Sequence, residues 1–297
     1  MRHTFTHEAM TTTFQIVIAS DDATYARQAT AEAFAELDRI EARLSRFAEG
    51  GDIWRINRLG EGETAFVHHD TLECLRLADQ VRRDTAGAFD IAYASATPCH
   101  PERSEATSRD LSSPDAPEER CLDKLGMTEL GPSLAVDEAN HTVRALAEGV
   151  CLDLGGIGKG FALDRMAALL REWEIASALL CASTSTLLAL DPPPGEEGWA
   201  AQLGPDDSPQ RLKLANQALS ASGLAVKGSH IVDPRTGRPA EGRLRAWAIA
   251  PTAAVADALS TAFMVMSEDE TRACCRSRAG VSAHLLSLTG SACVAIP

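Results

Sequence analysis

The chain has 297 residues, 24% of them charged, and a net charge of −14. That length suffices for one large domain with a sizeable core. The acidic balance excludes a broad nucleic-acid surface, which needs clustered Lys and Arg to neutralise phosphates.

From the N-terminus, residues 13–19 alternate Phe14, Ile16 and Ile18 against Gln15 and Val17, which predicts a strand. Ser20 and Asp21 then read as caps of a long amphipathic helix carrying Phe34, Leu37, Ile40, Leu44 and Phe47. A Gly50-Gly51 break follows, and a second helix is predicted over about Asp70–Arg83 with Leu72, Leu75, Ala78 and Val81 inward. Residues 98–120 are rich in Pro, Ser, Glu and Arg with one large apolar residue, Leu111. Such a segment buries too little to offset its ordering entropy, so it reads as a disordered insertion. Val150–Leu154 reads as a short buried strand that runs through Gly155-Gly156-Ile157-Gly158-Lys159-Gly160 into a helix. A strand pair is expected within 186–203, broken at Asp191 to Gly198. Last, a strand over Ala246–Ala250 leads through Pro251 into a helix with Val255, Leu259, Phe263 and Met266 on one face. Interspersed strands and helices of unequal length indicate an α+β or mixed fold without repeats.

The eight cysteines form no CxxC pair and no zinc spacing with histidine, so free thiols in a reducing compartment are expected. Met1 to Met10 contain no apolar core of a signal peptide, and no run of about 18 apolar residues occurs, so no membrane segment is visible and a cytoplasmic location is expected.

Three features carry chemistry. The first is Asp153 to Gly160, where glycines let backbone amides approach an anionic ligand at a helix start. It is neither a Walker A loop, since Asp153 and Gly160 occupy the positions of its first glycine and its Ser/Thr, nor a GxGxxG fingerprint, since Phe161 stands where the last glycine belongs. A plain tight turn is the alternative. The second is Ser229 to Gly237, in which Asp233 closes an Asp-Pro turn and His230 precedes it. His230 suits proton abstraction near neutrality, or is simply a histidine with satisfied ring nitrogens. The third is Ala256 to Thr261, where Asp257 and Thr261 at i,i+4 put a carboxylate and a hydroxyl on one helix face. That pair suits Mg²⁺ beside phosphates, although a helix-start Asp favoured by the dipole reads the same way.

In this order and spacing, the blocks resemble the FAD:protein FMN transferase (ApbE) family. The resemblance runs from Met10-Thr11-Thr12 through Leu44-Ser45-Arg46-Phe47, Ile53 to Asn57 and Gly87-Ala88-Phe89-Asp90 to the three motifs above. It implies a single α+β flavin transferase domain of mixed sheets and helices over residues 5–297, with the insertion at 98–120. It implies that Met10 and Phe47 flank a flavin ring, that Ala88, Phe89 and Asp90 contact the nucleotide, and that Gly155 and Phe161 line the FAD site. The Gly158 carbonyl with Asp257 and Thr261 would hold Mg²⁺, and His230 would bind the cofactor and act as the base. The implied reaction moves FMN from FAD to a Thr or Ser hydroxyl of an acceptor protein and releases AMP. Alternatives are an FAD pyrophosphatase giving FMN and AMP, and a non-catalytic FAD-binding protein. Thr11 stands where the family usually has glycine, and Cys181 to Thr186 replaces a glycine-rich turn.

Overall fold

The structure is a computed structural model that describes residues 1–93, 127–205, 208–224, 231–288 and 293–297. In chain order the first elements are β1 (Arg2–Ala9), β2 (Thr12–Ala19), α1 (Ala23–Leu44), α2 (Asp52–Ile56), β3 (Thr64–Phe66) and α3 (His69–Asp84). There follow β4 (Thr128–Leu130), β5 (Leu134–Asp137), β6 (Thr142–Ala145), α4 (Gly158–Glu172), β7 (Ala178–Ala182), β8 (Thr186–Ala189), β9 (Trp199–Leu203) and β10 (Gln210–Leu214). The last are β11 (Gln217–Gly223), β12 (Val232–Asp233), β13 (Arg238–Pro239), β14 (Arg243–Ala250), α5 (Ala253–Ala262), α6 (Glu268–Ser277), β15 (Ser282–Ser287) and β16 (Cys293–Ile296). Helices and antiparallel sheets together make an α+β protein. One unit comprises Met1–Ala42, Gln80–Asp90 and Gly155–Pro297, and the other Arg43–Asp79 and Ile91–Leu154.

The first unit is built on an eight-stranded antiparallel sheet in the order β1-β2-β7-β8-β11-β14-β15-β16. Side chains alternate across it, and the two faces differ in size. Leu219, Trp247 and Leu286 on one face pack with Trp199, Ala201, Leu203 and Leu214 of the β9–β10 hairpin. Each large side chain so buried contributes roughly 1.5–3 kcal/mol. The alternate positions of β11 and β14 are small: Ser220, Ala246, Ala248 and Ala250 are all fully buried. Ala253, Ala254, Ala256, Ala258 and Ala262 of α5 are fully buried as well, so small residues meet small residues and α5 lies close to the sheet. Because α5 is covered nearly all round, the single inward face expected from its sequence becomes burial of almost every residue.

The second unit holds a four-stranded sheet in the order β3-β6-β5-β4, with Ala135 and Leu146 in its core. The buried Asp52 accepts hydrogen bonds from the His68 amide (2.8 Å) and the Thr71 hydroxyl (2.6 Å), fixing the start of α3.

Several sequence expectations change. β1 was not anticipated; as the sheet edge it exposes alternate residues of a polar stretch. Asp22, rather than Ser20 or Asp21, caps α1, accepting from the amides of Thr24 (3.0 Å) and Tyr25 (2.9 Å). The helix ends at Leu44, so Phe47 is not on its apolar face. Residues 150–154 are not a strand. Their backbone is held instead by Asn57, whose carboxamide exchanges bonds with the Leu152 N–H (2.7 Å) and C=O (3.0 Å), and by the Ile91 carbonyl at 2.8 Å from the Asp153 amide. β8 and β9 are not partners: β8 joins β7 and β11 in the large sheet, while β9 pairs β10. The 98–120 segment lies outside the described residues. Cys74, Cys181, Cys274, Cys275 and Cys293 are free as expected, and burial pushes the Cys181 thiol up to about 11. Cys151 departs from that expectation, being disulfide-bonded. Among the described residues no helix is long and apolar enough to cross a membrane.

β1 and β2 are joined through Met10 and Thr11, with φ of 49° and 58°. A two-residue hairpin turn needs this left-handed backbone at both positions, which favours Asn or Gly, and a β-branched Thr is strained there. Thr11→Gly is therefore expected to stabilise the protein by about 1 kcal/mol, relief of strain outweighing the added freedom of the unfolded chain; the midpoint of urea unfolding checks this, and an unchanged or lower midpoint would refute it.

Candidate functional site

The site forms where the start of α4 meets α5 in the first unit. α4 begins at Gly158, three residues earlier than the sequence suggests, and its N-cap residue, Ile157, offers no side-chain acceptor. The partner for its amides comes from α5: the Gly160 N–H donates to Asp257 Oδ2 at 3.1 Å. Asp257 is 4% exposed. A Cβ placed on Gly156 would lie 3.3 Å from Thr261 Oγ1 and 3.2 Å from Phe89 Cε2. Gly158 is thus bracketed by one glycine bonded to Asp257 and another seated against Thr261.

The approach is close because residue 160 is glycine. A Cβ there would fall 2.2 Å from the Ala253 carbonyl oxygen, a backbone atom. The arrangement is reciprocal: Asp164 of α4 accepts from the amides of Ala253 and Ala254 at 2.8 Å each, capping α5, while Asp257 of α5 serves α4. Anionic acceptors at helix N-termini satisfy orphan donors and complement the dipole.

On its other oxygen Asp257 meets the sheet. Oδ1 lies 3.3 Å from Thr186 Oγ1 and 3.2 Å from Ser220 Oγ, which are 2.9 Å from each other. Ser222 continues the hydroxyl series at 2.9 Å from Ser260 Oγ and 3.1 Å from Thr261 Oγ1. Thr261 also donates to the Asp257 carbonyl at 3.3 Å. The Lys159 ammonium donates to the Gly155 carbonyl at 3.0 Å and stands 3.7 Å from Asp257 Oδ2. Hard oxygens and one cationic side chain therefore converge around the start of α4. Among the described residues no group of three His, Cys, Asp or Glu could hold a metal, so a cation here would rest on a single carboxylate with hydroxyl, carbonyl and substrate oxygens.

The second motif forms the β12–β13 hairpin. Asp233 Oδ1 accepts from the Arg235 amide at 2.9 Å, and the Gly237 amide closes the turn onto the Asp233 carbonyl at 2.8 Å. Arg235 pairs with Asp233 (2.8 Å) and with Glu270 of α6 (2.7 Å), tying the hairpin to that helix. The Arg235 guanidinium holds the Asp233 carboxyl below the usual carboxylate range, and the Ser267 amide, with Arg235, does the same for Glu270. His230 lies outside the described residues.

The remaining expected residues are placed as follows. Met10 sits in the left-handed β1–β2 turn, its amide bonded to Glu41 Oε1 at 2.7 Å. Ala88 and Phe89 are buried after a turn at Gly87, with the Phe89 amide on Thr85 Oγ1 at 3.2 Å, and Asp90 is half-buried. Gly155 is exposed, whereas Phe161 is buried with its amide bonded to the Ile157 carbonyl at 2.9 Å. Phe47 belongs to the second unit, 79% exposed, with the Arg46 guanidinium 4.7 Å from its ring centroid.

The ApbE family model matches residues 10–285. The chain belongs to the ApbE family. It is 22% identical over 297 residues to a protein of Klebsiella pneumoniae named FAD:protein FMN transferase, covering 94% of this chain and 82% of that one. A protein of the same name from Treponema pallidum is 32% identical over 167 residues, 49% of this chain and 46% of its own. The fold matches the flavin transferase ApbE of Vibrio cholerae with a TM-score of 0.80 at 20% identity, covering 99% and 97% of the two chains. It matches the apo flavinyl transferase ApbE of Pseudomonas stutzeri with a TM-score of 0.78 at 22% identity, covering 99% and 94%.

For this ApbE-family chain, sequence reading missed Asp164, Lys159, Thr186, Ser220 and Ser222. Asp164 carried a faint signal, an Asp in the second turn of a helix whose cap position has no polar side chain. The three hydroxyls carried none, since only the sheet brings Thr186 and Ser220, opposite each other in its register, to Asp257, and Ser222 to Thr261.

Two outcomes follow from this geometry. Helix propensity alone would make Gly160→Ala stabilising by about 1 kcal/mol, but displacing the Ala253 backbone costs roughly 1–3 kcal/mol or more. Packing is expected to win, so thermal unfolding should show a net loss of stability; a rise in midpoint would mean that α4 and α5 are not in this contact. The lowered Asp233 and Glu270 contribute stability that is fully present above their unfolded values near about 4 and is lost as pH falls through the lowered folded values. Arg235→Ala should therefore move the Asp233 carboxyl up toward its ordinary value and flatten the acid limb of stability, read by carboxyl NMR titration and by unfolding midpoints at acid pH.

Proposed function

We propose that this chain is a Mg²⁺-dependent FAD:protein FMN transferase that moves FMN from FAD to a Thr or Ser hydroxyl of an acceptor protein, with release of AMP. The observation that carries this reading is the convergence of the glycine-rich start of α4 with Asp257 and Thr261 of α5, in a chain of the ApbE family. A protein with a net charge of −14 needs local positive potential to hold a pyrophosphate. The N-terminal dipole of α4, which no side chain caps from Ile157, and the Lys159 ammonium supply part of it.

The donor set fits a hard cation: the Asp257 carboxylate, the Thr261 hydroxyl and the Gly158 carbonyl are all oxygens, as Mg²⁺ requires when phosphate oxygens complete its shell. Bound there, Mg²⁺ would draw charge from the pyrophosphate and stabilise the leaving AMP. His230, two residues before the β12–β13 hairpin, would take the proton of the acceptor hydroxyl as its oxygen bonds to the FMN phosphorus and the bond from that phosphorus to the AMP oxygen breaks. Positioning and charge neutralisation supply most of the rate in such transfers.

The test is incubation of the full chain with FAD, Mg²⁺ and peptides carrying candidate Thr or Ser acceptors. Mass spectrometry should show an FMN adduct and chromatography an equal amount of AMP. Asp257→Ala should abolish the Mg²⁺-dependent reaction. His230→Ala should slow transfer by roughly 10²–10⁴-fold while FAD binding persists. FAD left intact across several acceptors, or free FMN appearing in place of adduct, would reject the transferase reading.

A further inference from the structure

We propose that Thr186 and Ser220 are positioning residues for Asp257: by holding its Oδ1 from the sheet, they turn Oδ2 toward the start of α4 and so set the affinity of the site for its cation. This rests on the reading of Asp257 as a cation ligand and adds what determines its orientation.

A carboxylate on a helix has rotamer freedom, and a ligand that must be oriented on binding loses affinity to that entropy. Here the two oxygens have different neighbours. Oδ1 faces β8 and β11, with Thr186 Oγ1 at 3.3 Å and Ser220 Oγ at 3.2 Å, all three residues being buried. Oδ2 faces the Gly160 amide at 3.1 Å and the Lys159 ammonium at 3.7 Å. Each hydroxyl carries one proton, and the two hydroxyls lie 2.9 Å apart. One can therefore donate to the other while the second donates to Oδ1, and if Ser220 gives its single proton to the Ser185 carbonyl, 3.2 Å away, Thr186 is left to donate to Oδ1. The pair is rigid because Ser220 and Thr186 are opposed in the β8–β11 ladder. Ser220 also accepts from the Ser260 hydroxyl at 3.4 Å. Groups that fix a metal ligand from behind are typically worth roughly 10–100-fold in metal affinity.

The same hydroxyls run on to the second proposed ligand. Ser260 is 2.9 Å from Ser222, and Ser222 is 3.1 Å from Thr261 Oγ1. Both side-chain ligands thus hang from one series of hydroxyls anchored on β11, which keeps their separation fixed by the sheet and not only by the pitch of α5.

The experiment measures Mn²⁺ binding to the FAD-loaded protein by electron paramagnetic resonance of the free ion, beside FAD affinity in EDTA by flavin fluorescence. Thr186→Val, nearly isosteric, and Ser220→Ala are each expected to weaken Mn²⁺ binding by roughly 10–100-fold with FAD affinity in EDTA unchanged. Thr186→Ser should restore most of the loss, which a purely steric role would not predict. Should Thr186→Val fail to fold, Ser220→Ala carries the comparison. If both variants bind Mn²⁺ as the unaltered protein does, while Asp257→Ala does not, the positioning role is overturned and the cation site stands. If the unaltered protein itself binds no Mn²⁺ with FAD present, both the cation site and the positioning role are overturned.

Discussion

Two carboxylates crossed between neighbouring helices hold the candidate site in shape. Asp257 of α5 receives an amide of α4, and Asp164 of α4 receives two amides of α5. Hydrogen bonds to charged groups contribute roughly 1.5–3 kcal/mol each, and leaving such buried amides unpaired would cost about as much. The helices are therefore locked in register at their N-termini, where the glycines at the start of α4 and the oxygens of α5 have to meet. Any cation or phosphate chemistry at this place uses a geometry already fixed by the needs of the two helix ends.

The large sheet makes this crossing feasible by sorting its side chains by size. Trp247 and Leu219 look toward the β9–β10 hairpin, and Ser220, Ala246 and Ala248 look the other way. An Ala- and Ser-lined face lets α5 approach closely enough for Asp257 to reach the hydroxyls of β8 and β11. Burial thus supplies the packing energy, and the hydroxyls supply what a buried carboxylate needs in order to remain hydrogen-bonded. Packing and polarity are solved by the same choice of small residues.

The helical elements were the more legible part of the sequence. The i,i+4 placement of Asp257 and Thr261 needs only the helix period, and α5 has it. The glycines around the start of α4 announced a close backbone approach, although what approaches Gly160, the Ala253 carbonyl, belongs to a segment more than ninety residues later and leaves no local trace. β1 escaped because an edge strand with polar residues on alternate positions shows no apolar period. Residues 150–154 looked like a strand because four of the five are apolar, but the Leu152 backbone is satisfied by the Asn57 carboxamide and the Asp153 amide by the Ile91 carbonyl. β8 and β9 looked paired because they are close in sequence, yet each pairs with its other neighbour in the chain: β8 forms a hairpin with β7 and also joins β11, and β9 forms a hairpin with β10. Asp22 won the cap of α1 over Ser20 and Asp21 because its side chain alone reaches the Thr24 and Tyr25 amides.

The near-complete burial of α5 also says how this part of the molecule can change over time. A helix with one wet side can exchange residues freely there, but α5 has almost no such side, and at Ala253 its backbone itself lies against Gly160 of α4. Its mutational latitude is confined to substitutions no larger than alanine or serine at most positions. Divergence to about one residue in five shared with the structures of matching fold can thus accumulate in hairpins, edges and surface helices without disturbing the spacing between the two helix starts.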